Sequence, residues 1–160
     1  HTRCLSDWSS DVCSSDLFDK IYAIEEGCID HIFYGGNFFN FDEIDKTTTA
    51  FSSGVMLFKN SPIVKELFDN INDHIWHILN TDQRKILFYD QPFITYNAIS
   101  KKKYNNKLMN KYAENNPSKI DDEKIIYHFP GTVGETEFKY KKMENFLNNR
   151  IEHEKAKNNG

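Results

Sequence analysis

The sequence predicts an α/β fold in which helices cover a layered sheet. Short apolar runs of strand length alternate along the chain with amphipathic segments of helical period, and capping or turn residues separate them. No apolar run approaches the roughly 18 residues needed to cross a bilayer, so we expect no membrane segment.

Two apolar runs, residues 21–24 and 55–58, predict buried strands. The first ends at an acidic pair followed by Gly27, and a turn at Ser52-Ser53-Gly54 is predicted to precede the second. Residues 27–49 between them are rich in aromatic side chains and have no sustained period. They predict a long loop, and loops of this length are usually functional or disordered.

Helix signals dominate the middle of the chain. Ser61 suits an N-cap and Pro62 the first helical position, and apolar residues three or four apart continue to about residue 79. A second helix is predicted to begin at Asp90 and to end at the lysines 101–103. Residues 104–123 predict a short strand and a loop.

The last third predicts one strand and one helix. Residues 124–128 predict a third strand that delivers His128 into the loop 129–134, and a polar helix follows from about Lys139. Residues 151–160 are predicted to be a frayed tail, so the domain is expected to occupy residues 18–150.

Residues 1–17 are expected to be an artefact. Residues 7–17 have the sequence that one frame of a common indexed sequencing adapter encodes, and the upstream residues fit the same origin. Foreign segments are set aside before a fold is interpreted. The alternative is a disordered tail or half of a disulfide pair.

Charge and cysteine content limit the classes of function. Setting aside residues 1–17 removes one basic and three acidic residues, so the net charge moves from −4 to −2. This balance does not suggest nucleic-acid binding. Cys28 is then the single cysteine, which indicates a cytoplasmic or otherwise reducing compartment, and we expect a small, partly buried thiol.

Three short motifs lie where open α/β sheets build their sites, at strand ends and helix starts. The segment Ser52-Ser53-Gly54 offers hydroxyl donors and a close backbone approach, or is an ordinary turn. Asp90-Gln91 offers a carboxylate and an amide to a sugar, or is an N-cap. His128 offers an imidazole to a metal, or is a hydrogen-bonded edge residue.

In this order, the three motifs resemble the nucleotide-diphospho-sugar transferases of the GT-A fold, in particular family 8-like enzymes such as the glycogenins and bacterial galactosyltransferases. The matching segments are residues 52–57, Asp90-Gln91 and residues 128–131, and the resemblance covers residues 21–147. It implies an incomplete, Rossmann-like GT-A domain, the C-terminal half of a hexosyltransferase.

The resemblance also implies roles for individual residues. Three of them, Ser52, Ser53 and Gly54, would line the sugar pocket, and Gly131 would approach the diphosphate. The candidate catalytic pair, Asp90 and Gln91, would contact the transferred sugar. His128 would be the third ligand of a divalent cofactor, Mn²⁺ or another divalent cation, that neutralises charge on the leaving diphosphate in the intact parent.

This chain departs from the family pattern at three points. Ser52 stands where the family usually has Asn. Gly134 stands where the family has a Lys, and the role of that Lys would pass to Lys139, Lys141 or Lys142. A D-x-D segment, the source of two carboxylate ligands, does not occur, so we expect this fragment to be inactive.

The alternative function is a non-catalytic carbohydrate-binding or protein-interaction domain. In that case the loop aromatics would form an exposed patch that stacks on a sugar or a partner. The residues concerned are Phe33, Tyr34, Phe38, Phe39 and Phe41. Convergence of Ser53, Asp90 and His128 on one cleft would favour the transferase instead.

Overall fold

A computed structural model describes residues 19–36, 38–45, 47–81, 90–131 and 136–158. Within these ranges the chain is mixed α/β, with two small sheets and four α-helices. The α/β class is therefore confirmed. The predicted artefact at residues 1–17 lies outside the described residues, and so do Thr132, Val133 and Gly134.

The larger sheet has three strands in the order β2-β1-β3. They are β1 (Ile21–Cys28), β2 (Thr49–Leu57) and β3 (Tyr104–Asn105). β1 pairs antiparallel with β2 and parallel with β3. The strands predicted from the apolar runs 21–24 and 55–58 are present as β1 and β2. Each strand is longer than its apolar run because edge and bulge positions admit polar residues.

The predicted turn at Ser52-Ser53-Gly54 is wrong, because these residues lie inside β2. Ala23 is opposite Met56 but Glu25 is opposite Phe51, so β2 contains extra residues between two paired positions. Such a bulge bends a strand and redirects its side chains, and bulges are frequent beside functional sites.

Helices α1 (Pro62–Thr81) and α2 (Gln91–Ser100) cover the larger sheet. Ser61 caps α1 as predicted, since its Oγ accepts a hydrogen bond of 3.3 Å from Val64 N. α1 buries Leu67 and Ile71, and α2 buries Phe93 and Ala98. These side chains meet strand residues such as Ile21 and Phe51 in the main core.

The loop between β1 and β2 holds a short 3₁₀ helix, Ile32–Tyr34. His31 begins it, with the imidazole accepting a hydrogen bond from Phe33 N, and Gly35 ends it in the left-handed conformation at φ 89°. Tyr34 is buried in the main core. The loop is thus tied to the sheet rather than detached from it.

The smaller sheet pairs β4 (Ala113–Asn115) in parallel with β5 (Ile126–His128). Helix α3 (Lys107–Tyr112) precedes β4 and was not predicted. Its Met109 packs on Tyr22 and Ile24 in a second apolar cluster. α3 therefore connects the two sheets.

The last helix, α4 (Thr136–Asn158), begins earlier and ends later than expected. Residues 151–158 belong to this helix, so the prediction of a frayed tail is wrong for these residues. Phe146 packs on Tyr127 and Phe129, with ring centroids 4.7 and 5.4 Å away. Lys157 Nζ is 2.5 Å from Asp122 Oδ2, which holds the far end of α4 beside the smaller sheet.

Among the described residues, no helix is long and apolar enough to cross a membrane. Cys28 is a free thiol at the end of β1, and it is exposed rather than partly buried as expected.

Candidate functional site

One cavity of about 440 Å³ lies between the end of β1, the bulge of β2, the start of α2, the end of β5 and α4. All seven predicted site residues line it: Ser52, Ser53, Gly54, Asp90, Gln91, His128 and Gly131. The remaining lining residues are Glu26, Phe33, Tyr34, Asn116, Phe129, Pro130, Phe138, Lys139 and Lys142. Three motifs that are far apart in the sequence therefore meet at one place.

The β2 bulge is fixed by hydrogen bonds within the site. Ser53 N donates to Gln91 Oε1 over 3.1 Å, and Gly54 N donates to Ser52 Oγ over 3.3 Å. Ser52 is buried, at 3% exposure. Its hydroxyl therefore serves the bulge itself, while Ser53 and Gln91 join β2 to the start of α2.

Gly54 allows His128 to approach the strand backbone. A Cβ built on Gly54 would lie 2.6 Å from His128 Nε2 and 2.9 Å from Cε1. These separations are far inside the usual contact distance of about 3.5–4.0 Å. Glycine is required here by this approach and not by a turn.

The imidazole of His128 is held in one tautomer. Its Nδ1 lies 2.9 Å from Asn115 Oδ1, an amide oxygen that can accept a hydrogen bond but cannot donate one. Nδ1 therefore carries the hydrogen and Nε2 keeps its lone pair. Burial lowers the pKa of His128, Lys139 lowers it further, and Glu26 opposes both. A neutral imidazole whose Nε2 keeps its lone pair can bind a metal ion or accept a hydrogen bond from a ligand.

Asp90 occupies the N-cap position of α2 without capping it. Its backbone is in the helical region, and its side chain makes no cap hydrogen bond. The carboxylate is exposed and lines the cavity. Of the two interpretations of this residue, the one in which it faces a ligand fits the geometry better.

Two of the three candidate lysines line the cavity. Lys139 passes beside Gly131, where a built Cβ would lie 3.7 Å from Nζ. Lys142 Nζ donates to Asn116 Oδ1 over 2.6 Å. Lys141 instead pairs with Glu137 at 2.9 Å on the exposed surface and does not line the cavity.

Sequence reasoning missed Glu26 and Asn116, and it assigned Tyr34 only to the alternative function. Successive strand residues point to opposite faces. Glu25 accepts hydrogen bonds from α3, whereas Glu26 lines the cavity. Burial first, and then the negative charge of Glu26 and a hydrogen bond to it, raise the pKa of Tyr34. The acidic pair Glu25-Glu26 could have indicated a site residue at the end of β1. Which of the two faces the cavity depends on the alternation of side chains along the strand.

The loop aromatics do not form an exposed patch. Tyr34 is 3% exposed, and Phe39 stacks on Tyr96 with centroids 4.4 Å apart. Phe38 and Phe41 are also partly buried in the same aromatic group. Phe33 is the member classed as exposed, at 38%. The arrangement required by the alternative function is therefore not observed in this loop.

The described residues offer only part of the ligand set that a divalent cation at His128 would need. His128 Nε2 has the right chemistry for one ligand, and Glu26 and Asp90 share its cavity. Across the described ranges, however, no three His, Cys, Asp or Glu side chains are grouped closely enough to hold an ion. A complete Mn²⁺ site is not formed by these residues alone.

Charged side chains of both signs line the cavity. Lys139 and Lys142 come from α4, whereas Glu26 and Asp90 come from β1 and from the residue before α2. A ligand with an anionic part and a hydroxyl-rich part would suit a lining that holds both cationic and acceptor groups. No protein-family model, curated protein or solved structure matches this chain, so the functional interpretation rests on the site itself.

Proposed function

We propose that this cavity is the donor site of a glycosyltransferase, which moves a hexose from a nucleotide-diphosphate sugar to an acceptor. One observation carries the proposal: the three motifs that resemble the GT-A transferases, from separate segments, line a single cavity together with two lysines. The cavity is also of a size typical for small-molecule sites, about 300–1,000 Å³.

The α4 side of the cavity would bind the diphosphate. Lys139 and Lys142 supply cationic donors there, and the Gly131 backbone has no side chain to obstruct a phosphate. Charge-assisted hydrogen bonds to anions are shorter and stronger than neutral ones. Stabilising negative charge on the departing diphosphate is the main catalytic requirement of such a transfer.

The residues from β2 and from the start of α2 would bind the sugar. Gln91 Oε1 is engaged by Ser53 N, so the Gln91 NH₂ group is the donor that remains for a sugar hydroxyl. Asp90 would accept hydrogen bonds from neighbouring hydroxyls. The Ser53 hydroxyl, 3.4 Å from Gln91 Oε1, lies beside this pair.

His128 would contribute one ligand to a divalent cation. Bound Mn²⁺ would supply Lewis-acid stabilisation of the diphosphate. The Asn115 hydrogen bond orients the imidazole and keeps its proton on Nδ1, which is the role of a residue behind a metal ligand. We assign no step to the metal, because the described residues do not complete its ligand set.

Titration calorimetry with UDP, in the presence and absence of Mn²⁺, tests the proposal. We expect weak binding that Mn²⁺ strengthens, and His128→Ala should remove this dependence on the metal. Lys139→Ala and Lys142→Ala should each weaken binding about five- to tenfold, or roughly 1–1.4 kcal/mol.

Lys141→Ala is the matched control, because Lys141 is on the same helix but pairs with Glu137. It should leave the UDP affinity unchanged. Failure of UDP to bind, or an equal effect of all three lysine substitutions, would refute a diphosphate site in this cavity.

A further inference from the structure

Asn116 lies where the smaller sheet meets α4 and the cavity. It follows directly after β4, and its backbone N donates to His128 O over 2.7 Å. Its side chain lines the cavity, where Asn116 Oδ1 accepts a hydrogen bond of 2.6 Å from Lys142 Nζ. This one residue therefore joins the end of β5 to the helix that supplies the cationic side chains of the lining.

The backbone of Asn116 has an uncommon conformation. Its φ is 52°, in the left-handed region, and the next residue is Pro117. Asparagine tolerates this region better than most residues do, but a residue before proline ordinarily adopts an extended conformation. Backbone conformations of this kind are concentrated at active sites and ligand-binding sites. The conformation thus makes Asn116 a candidate ligand-binding residue.

The side-chain amide of Asn116 is oriented by Lys142. An ammonium group can only donate, so the atom that faces Lys142 is the amide oxygen, and the NH₂ group is at the other end of the amide. Within the described ranges, no residue accepts a hydrogen bond from this NH₂ group. The Lys142 ammonium also lies over the Phe138 ring, 5.7 Å from its centroid. The hydrogens left for a ligand are therefore those of the amide NH₂ and the remaining ones of the ammonium.

We propose that Asn116 is a direct binding residue for the diphosphate, whose oxygens accept hydrogen bonds from its NH₂ group and from the Lys142 ammonium together. Phosphate oxygens accept strong, charge-assisted hydrogen bonds. The hydrogen bond from Lys142 polarises the amide and makes its NH₂ group a better donor, because linked hydrogen bonds strengthen one another. The inference rests on the proposed function, in which the α4 lysines of the cavity bind the diphosphate.

Titration calorimetry with inorganic pyrophosphate tests the role of Asn116. The titration is made without divalent cations, which pyrophosphate binds by itself, and at physiological ionic strength. Asn116→Gly removes the amide, and glycine adopts the left-handed conformation without strain. This variant should weaken pyrophosphate binding about three- to tenfold, which corresponds to the loss of one hydrogen bond at an exposed position.

A Lys142→Ala background separates direct contact from an effect that acts through Lys142. There Asn116 has no ammonium to hold, yet Asn116→Gly should still weaken pyrophosphate binding at least about twofold, because the amide itself touches the anion. If Asn116 acts only by holding Lys142, the second substitution has no effect in this background. Lys139 still lines the cavity in both variants and supplies the remaining cationic donor.

Lys102→Gly is the matched control for Asn116→Gly. Lys102 is the other left-handed residue besides glycine in the described part of the chain, at φ 55°, and it does not line the cavity. Its replacement relieves the same backbone conformation and also removes a positive charge, but it should leave the affinity unchanged. An equal loss in Lys102→Gly would exclude a local contact at Asn116. Thermal unfolding of each variant checks that the fold is retained.

Three further results would overturn the assignment: pyrophosphate that does not bind, an affinity that is indifferent to Asn116→Gly, or a loss that disappears in the Lys142→Ala background. The same titrations with UDP distinguish these results from failure of the proposed function. UDP that binds with an affinity independent of Asn116 contradicts only the role of Asn116. Pyrophosphate that binds through Asn116 while UDP does not bind contradicts the nucleotide-sugar function, and not the contact of Asn116 with the anion.

Discussion

Gly54→Ala tests the approach of His128 to the bulge of β2. The added Cβ would lie 2.6 Å from Nε2 and 2.9 Å from Cε1, while the next neighbour, Ser52 Oγ, is at an ordinary 3.4 Å. The imidazole must therefore move by about 1 Å to regain normal contact. That movement strains its 2.9 Å hydrogen bond to Asn115.

The net effect follows from two opposing contributions. Overpacking costs about 1–3 kcal/mol. Gly54 is not among the positive-φ residues, so alanine suits the backbone and contributes about 0.4–1 kcal/mol of stability through the unfolded chain. We expect Gly54→Ala to lower the free energy of unfolding by about 1 kcal/mol, since the steric contribution is the larger one.

Urea denaturation of a double-mutant cycle isolates the contact. In a His128→Ala background the clash is gone, so Gly54→Ala should stabilise the protein by about 0.4–1 kcal/mol. The coupling between the two sites should then reach roughly 1–2 kcal/mol. If Gly54→Ala has the same effect in both backgrounds, the close approach of His128 is not the reason for glycine at this position.

Two further predictions concern titratable groups outside the cavity. Burial is the main reason why the pKa of His74 is lowered from 6.5, and its Nδ1 faces the Asn97 amide at 3.0 Å. The unfolded chain therefore binds more protons below about pH 6.5, and stability falls as the pH falls through this value. His74→Gln should flatten the curve of melting temperature against pH, and an unchanged slope would contradict this assignment. Hydrogen bonds, first from Lys157, lower the pKa of Asp122 from 3.8, so its contribution is present above that pH and lost below it. Asp122→Asn should lower the melting temperature slightly at low ionic strength. It should have no effect in 1 M salt, where the Debye length is about 3 Å and exposed ion pairs are screened. A decrease in melting temperature that does not depend on salt would exclude an ionic role for Asp122.

Elements with strong local signals were predicted well. α1 has a Ser61 cap, Pro62 at its first position and an apolar face built from residues three or four apart. Each of these signals relates residues that are within about one helical turn of each other. β5 was recognised from its apolar run. Local capping and periodicity act before any tertiary contact, so the sequence expresses them directly.

Elements that depend on distant partners were missed. α3 is too short to show a period, and it is stabilised by Met109 in the second apolar cluster. Asn106 and Asn110, at its start and within it, also donate to the Glu25 carboxylate over 2.8 Å each. These contacts join residues about eighty positions apart, which no local pattern reveals.

The sequence by itself determined the α/β class, the capped α1 and the residue types from which a site is proposed. Only the tertiary structure decided how those residues are used. It placed Ser52-Ser53-Gly54 in a bulge and Glu26 in the cavity, and it paired Lys141 outside the cavity while directing Lys139 into it. Chemical identity and local propensity are written along the chain, whereas orientation depends on strand register and helix rotation, which packing between distant segments sets.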